Sequence, residues 1–203
     1  FGGSSQIAKS LAKKLNSVEN IGRSKCNIYK KNYIVKDYNK RNIDKVLQKV
    51  KNKYDNILIF NGLFSISFLS SFDEKLFNFV FDKNFKIPMI ISSSVIKKRL
   101  LNHKGSIILF SSIAANSYDS GNAYYSISKN ALNFAGKILS REQKKRGVRI
   151  NVLSLGIVDN KMGKAAKKIS KNKIIIYRNN KYLNKIVNIL KNKKINGKNI
   201  VIK

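Results

Sequence analysis

Tyr125 and Lys129 stand four residues apart in Tyr125-Ser126-Ile127-Ser128-Lys129, a spacing that puts a phenol and an ammonium on one face of a helix. A positive charge beside a phenol favours the phenolate, lowering a pKa that is ordinarily about 10 toward the range where proton transfer is efficient. The pair is expected to serve acid/base chemistry, with Tyr125 carrying the proton and Lys129 tuning it. The spacing alone is not selective in a lysine-rich chain. It recurs at Tyr177 and Lys181, which have no companion residues and read as chance. Other chemistries lack material: His103 is the only histidine and Cys26 the only cysteine. A histidine metal site, a Ser-His-Asp triad or an internal disulfide cannot be assembled, and Cys26 reads as a small apolar side chain.

Three further runs keep register with the pair. Gly105-Ser106-Ile107-Ile108-Leu109-Phe110-Ser111-Ser112 ends 13 residues before Tyr125, Asn84 in Asp82-Lys83-Asn84-Phe85 lies 28 residues before Ser112, and Arg149-Ile150-Asn151-Val152-Leu153-Ser154-Leu155-Gly156 follows. Together with Tyr125-x-x-x-Lys129 they resemble the short-chain dehydrogenase/reductase family. The resemblance implies a hydride passed between a nicotinamide and a carbonyl or alcohol carbon of a small molecule. It implies that Tyr125 moves the proton, Ser112 polarises the carbonyl, Lys129 also anchors the ribose, and Asn84 supports a proton-relay water. It further implies dimers or tetramers formed through the helices expected over Glu74 to Leu101 and Tyr124 to Lys145.

On the cofactor side, Phe1-Gly2-Gly3-Ser4-Ser5-Gln6-Ile7-Ala8 resembles the family's T-G-x-x-x-G-I-G, keeping the first glycine and replacing the later two. Gly2, Ser4, Ser5, Gln6 and Ile7 are the residues this implies around a diphosphate, where glycines allow close approach and a helix start presents free amides. Asn61-Gly62 resembles the N-A-G element lining the cofactor, Asp37 the acidic residue near the adenine, and Gly156 with Val158 the segment covering the nicotinamide; Leu155 replaces a common proline. Between Glu19 and Asp37 there is no acidic residue to hold ribose hydroxyls. Arg23, in Ile21-Gly22-Arg23-Ser24-Lys25, offers a fork of donors suited to a 2′-phosphate. NADP(H) is therefore favoured, with NAD(H) the alternative; the plain reading of Arg23 is one more solvent-facing cation. Lys164, Lys167 and Lys168 could receive an acidic substrate, or simply reflect composition.

The elements that must position these residues alternate. Apolar runs rich in β-branched residues, Tyr33 to Val35, Ile57 to Phe60, Ile107 to Phe110, Ile150 to Leu153 and Ile200 to Ile202, read as buried strands. Helical periodicity covers Ile7 to Leu15, Ile43 to Val50, Glu74 to Leu101, Tyr124 to Lys145 and Tyr182 to Leu190. Such alternation predicts an α/β fold: a doubly wound, Rossmann-like parallel sheet with helices on both faces. No repeat or linker divides the chain, so residues 1–203 are expected to form one domain. Only Phe1 precedes the Gly2 turn, so the central strand feeding it is missing; the expectation is a fragment lacking a short N-terminal stretch and stopping inside a strand at its other end.

At 203 residues and 43% hydrophobic, the chain can bury one core. No apolar run approaches the roughly 20 residues of a membrane span, and Phe1 to Ser4 do not open like a signal peptide, so a soluble, cytoplasmic protein is expected. The net charge of +32 raises a nucleic-acid reading, but the lysines are dispersed over every segment, as solvated faces are. No specific nucleic acid is expected. A binding or regulatory module of the same fold, with the phosphate turn weakened by Gln6 and Ala8, is the other alternative.

Overall fold

The structure is a computed structural model that describes residues 1–157 and 179–202. Among these residues six strands run parallel: β1 Glu19–Gly22, β2 Lys31–Ile34, β3 Tyr54–Ile59, β4 Leu101–Ser112, β5 Arg149–Leu155 and β6 Asn199–Ile202. β1 pairs with β2, and β3, β4, β5 and β6 lie side by side in chain order. Phe1 and Gly2 lie between the two groups. Gly2 N–H donates to Ile21 O at 3.2 Å and Phe60 N–H to Phe1 O at 3.1 Å, while the Phe1 ammonium donates to Leu58 O at 2.7 Å. Beyond Phe1 the sheet is interrupted by a cavity of about 420 Å³ between the edges of β1 and β3, across which the Tyr54 hydroxyl donates to the Glu19 carboxylate.

Alternation along β4 and β5 sends side chains to both faces. Ile107, Leu109, Ile150 and Val152 pack with α2 (Lys40–Gln48), α4 (Ile87–Lys97) and α5 (Ala123–Glu142). Ile108, Phe110, Leu153 and Leu155 pack with α1 (Gln6–Ala12) and α6 (Asn179–Lys191). Every residue of β5 is buried. This is the doubly wound sheet read from the sequence. Its parallel strands all present their carboxyl ends on one side, where ligands of such sheets bind.

Two expectations change. The helix over Glu74 to Leu101 is instead α3 (Glu74–Phe81), a π turn over Asp82–Lys86 and α4, and Leu101 opens β4. The break precedes Pro88, which has no N–H to offer the Asn84 carbonyl and whose ring crowds it. Strand β1 was not foreseen, because Glu19-Asn20-Ile21-Gly22 is too short and polar to show a period.

Gly136 brings α5 close to β5: a Cβ there would lie 2.5 Å from Val152 Cγ2. Although alanine ordinarily favours a helix over glycine by about 1 kcal/mol, crowding a stiff β-branched neighbour costs about 1–3 kcal/mol. Gly136→Ala is thus expected to lower the midpoint of chemical denaturation, and an equal or higher midpoint would contradict this packing. No helix among the described residues is long and apolar enough to cross a membrane.

Candidate active site

The carboxyl ends of β1 to β5 carry, in order, Arg23, the Asp37 loop, Asn61-Gly62, Ser112 and Gly156. α5 crosses above β4 and brings Tyr125 and Lys129 to the same edge. Its start is fixed by the segment after β3: Ser67 N–H donates to Gly121 O at 3.1 Å, Ala123 N–H to Ser67 O at 3.2 Å, and Tyr124 N–H to Ser67 Oγ at 2.9 Å. One turn on, Ser111 Oγ donates to Lys129 O at 3.2 Å, and Lys129 Nζ to Phe110 O at 2.9 Å. The helix is thereby pinned to the end of the central strand.

Ser112 ends β4 and its Oγ accepts from Ala114 N–H at 3.2 Å, capping a short 3₁₀ turn. Its hydroxyl also bonds the Tyr125 phenol. Tyr125 is buried, with the Phe64 ring edge-on at 5.3 Å between centroids. Burial pushes the phenol above its ordinary value, and the Ser112 hydrogen bond pulls only partly the other way. This corrects the expectation of a lowered Tyr125: Lys129 Nζ sits 6.0 Å from the ring centroid and is directed at Phe110 O. Burial outweighs the neighbouring charge. Lys129 itself is brought down to about 8, also by burial.

Asn84 is fully buried in the π turn. Its Oδ1 accepts from Leu63 N–H at 2.7 Å, and its Nδ2 donates to Leu63 O at 3.0 Å and to Ser128 Oγ at 3.0 Å. The amide is spent on holding the Gly62-Leu63 backbone against α5, so Asn84 is a positioning residue. Gly62 has φ +157°, and a Cβ on it would come within 2.8 Å of Lys129 Nζ and 3.0 Å of Asn84 Oδ1. Only glycine leaves that space.

At the glycine turn, Gly2 has φ +75° and its carbonyl accepts from Ser5 N–H at 3.1 Å. Ser5 Oγ caps α1 through Ala8 N–H at 3.1 Å. Ser4 and Gln6 are exposed and Ile7 is half-buried. A brace unseen in the sequence supports the turn from behind: Gly3 N–H donates to Asn20 Oδ1 at 3.2 Å, Asn20 Nδ2 to Asn32 Oδ1 at 3.0 Å, and Tyr29 OH to Gly3 O at 2.9 Å. A Cβ on Gly3 would fall 2.3 Å from Asn20 Oδ1. Arg23 is exposed directly after β1. The Asp37 carboxylate accepts from Asn39 N–H and Asn42 Nδ2, both at 3.0 Å; these bonds hold it below its ordinary value and turn it toward the start of α2. The Tyr38 phenol, missed by sequence reasoning, stands beside Asn61 and the Gly2 backbone. Gly156 N–H donates to Ile202 O at 2.9 Å. Val158, Lys164, Lys167, Lys168 and Tyr177 lie outside the described residues, and Lys181's side chain is likewise not described. Among the described residues no cluster could hold a metal.

The site therefore fits an extended dinucleotide: a braced glycine turn near one end, an exposed guanidinium beside it, and a buried phenol and ammonium facing a glycine gap at the other.

Known proteins carry the same arrangement. Residues 4–171 match the short chain dehydrogenase family. A 3-oxoacyl-(acyl-carrier-protein) reductase, FabG, of Rickettsia felis is 30% identical over 138 residues, 67% of this chain and 57% of that protein. The chain thus spans a little over half of that relative's length. A short chain dehydrogenase from Burkholderia cenocepacia, solved in complex with NADP, superimposes with TM-score 0.81 at 18% identity over 100% of this chain and 94% of its own. A 4-hydroxyisoleucine dehydrogenase complexed with NADH does so with TM-score 0.80 at 21% identity, over 100% and 94%. With most of its length matched to the family, this chain belongs to the short chain dehydrogenases.

Proposed function

We propose that the protein is an NAD(P)(H)-dependent oxidoreductase that interconverts a carbonyl compound and its alcohol. The observation that carries this reading is the convergence of Ser112, Tyr125 and Lys129 at the carboxyl edge of the sheet that also bears the glycine turn. A nicotinamide held there supplies or accepts hydride at the substrate carbon. For reduction, Tyr125 is the acid: its raised phenol keeps its proton at neutral pH and delivers it to the developing alkoxide. Ser112, hydrogen-bonded to that phenol, donates to the same oxygen. Lys129 has donors beyond the one given to Phe110 O, which suit ribose hydroxyls in the Gly62 gap. A water relaying a proton to Tyr125 has an acceptor in the Asn84 carbonyl, which Pro88 leaves without an α-helical donor. The test is NADPH oxidation in the presence of ketones and 3-oxoacyl thioesters, the latter the class in the Rickettsia relative's name. Reduction to the alcohol supports the reading, and failure across the panel overturns it.

NADP(H) is the preferred form in this reading, because Arg23 is exposed at the end of β1 with no carboxylate beside it in the loop. A charge-assisted hydrogen bond to a 2′-phosphate contributes about 1.5–3 kcal/mol, so Arg23→Ala is expected to raise the KM for NADPH roughly tenfold to a hundredfold and barely move that for NADH. Equal effects on both would show that Arg23 only faces solvent. The reading includes a homodimer or homotetramer through the outer stripe of α5, where Ile127, Phe134 and Ile138 are exposed, and sedimentation velocity of the purified chain measures it.

A further inference from the structure

Residues 56–72 carry no charge, in a chain of which 26% is charged. This stretch leaves the end of β3, passes the Asn61-Gly62 gap and lies beside the start of α5. Ser67 bridges to Asn122 as an isolated parallel β contact and is buried, so neighbouring extended residues alternate about it and Phe64, Ile66 and Phe68 share the opposite side. The first of these touches the Tyr125 ring. From there the surface continues through Ile66 at 53% exposed, Phe68 at 48%, Leu69 at 59% and Phe72 at 57%. Phe72 is itself edge-on to Tyr124, at 5.6 Å between centroids. Contiguous exposed apolar surface of this kind marks a binding site, and this one starts at the proton donor.

We infer that the carbonyl compound taken by this site bears an uncharged apolar tail of several carbons, which lies along Phe64, Ile66, Phe68 and Leu69. The inference rests on the proposed oxidoreductase activity and names its substrate class. The continuity with Tyr125 favours a substrate tail over a second protein copy. The uncharged wall, flanked by Asp55 and Asp73, argues against a tail carrying phosphate or carboxylate at this depth.

The test uses the purified protein with NADPH and straight-chain methyl ketones of about four to ten carbons. A buried methylene contributes enough for up to about a fourfold gain, so kcat/KM is expected to rise about two- to fourfold per added carbon across the series. In the double variant Phe68→Ser, Leu69→Ser the slope is expected to flatten. Measurable turnover with no dependence on chain length overturns the inference while leaving the activity intact, as does a double variant that alters sedimentation but not the slope. If no ketone is reduced, the proposed activity has failed for this class; thermal shift with the same ketones and NADPH then still scores the strip. Stabilisation growing with chain length supports it, and stabilisation independent of length overturns it.

Discussion

Tyr125→Phe is expected to lower ketone reduction by about 10²–10⁴ while leaving the thermal midpoint and NADPH binding close to those of the parent. The variant removes one oxygen from a ring that Phe64 and the α5 packing continue to hold. What disappears is the proton donor and the hydrogen bond with Ser112. Burial holds the phenol protonated well beyond neutral pH, so reduction catalysed by the parent should stay level through neutral pH and fall only at alkaline pH. Oxidation of the alcohol, which needs the phenolate, should rise over the same alkaline range. Steady-state rates in both directions against pH check this; a variant retaining more than about a tenth of the reduction rate would remove Tyr125 from the chemistry.

Lys129→Met is expected to move activity and stability in opposite directions. The ammonium is buried and its pKa is lowered to about 8, below the unfolded value near 10.4. The unfolded chain therefore binds more protons between these values, and the Lys129 contribution makes stability rise with pH across that window. Below about pH 8 the folded protein bears the full cost of the buried charge, on the order of 3 kcal/mol. Methionine of similar length relieves that cost but forfeits the bond to Phe110 O, worth about 1 kcal/mol. A net gain of about 2 kcal/mol at neutral pH should accompany a loss of turnover on the order of 10². Denaturation at pH 7 and pH 10 should show the gain shrinking at the higher pH. A variant less stable at pH 7 would mean that Lys129 serves packing rather than the site.

The doubly wound sheet was legible because β4 and β5 are continuous apolar runs whose neighbours have helical spacing, a pattern that burial on both faces imposes. The register of Asn84, Ser112, Tyr125 and Lys129 was legible for a related reason: a strand end, a π turn and a helix fix it by length alone. Strand β1 was hidden because its pairing with β2, not its own composition, makes it a strand. The brace of Asn20, Asn32 and Tyr29 joins residues whose separation in the chain carries no local signal. The direction of the Tyr125 shift was misread for a physical reason. Spacing reports that a lysine is near, but not that both groups are buried and that the ammonium is turned toward a strand carbonyl. Pro88 was visible throughout, yet its consequence, a broken helix and a freed Asn84 carbonyl, depends on its falling four residues after the asparagine.

The central claim is hydride transfer at the Tyr125 site, and isotope transfer tests it most directly. The purified protein is incubated with NADPH bearing deuterium at C4 of the nicotinamide and a ketone from the same series, and the alcohol is analysed by mass spectrometry and NMR. The account predicts deuterium on the carbinol carbon of the parent's product and its loss, with the product, in Tyr125→Phe. Alcohol formed without deuterium from either C4-labelled face, or equal labelled product from both proteins, would contradict it.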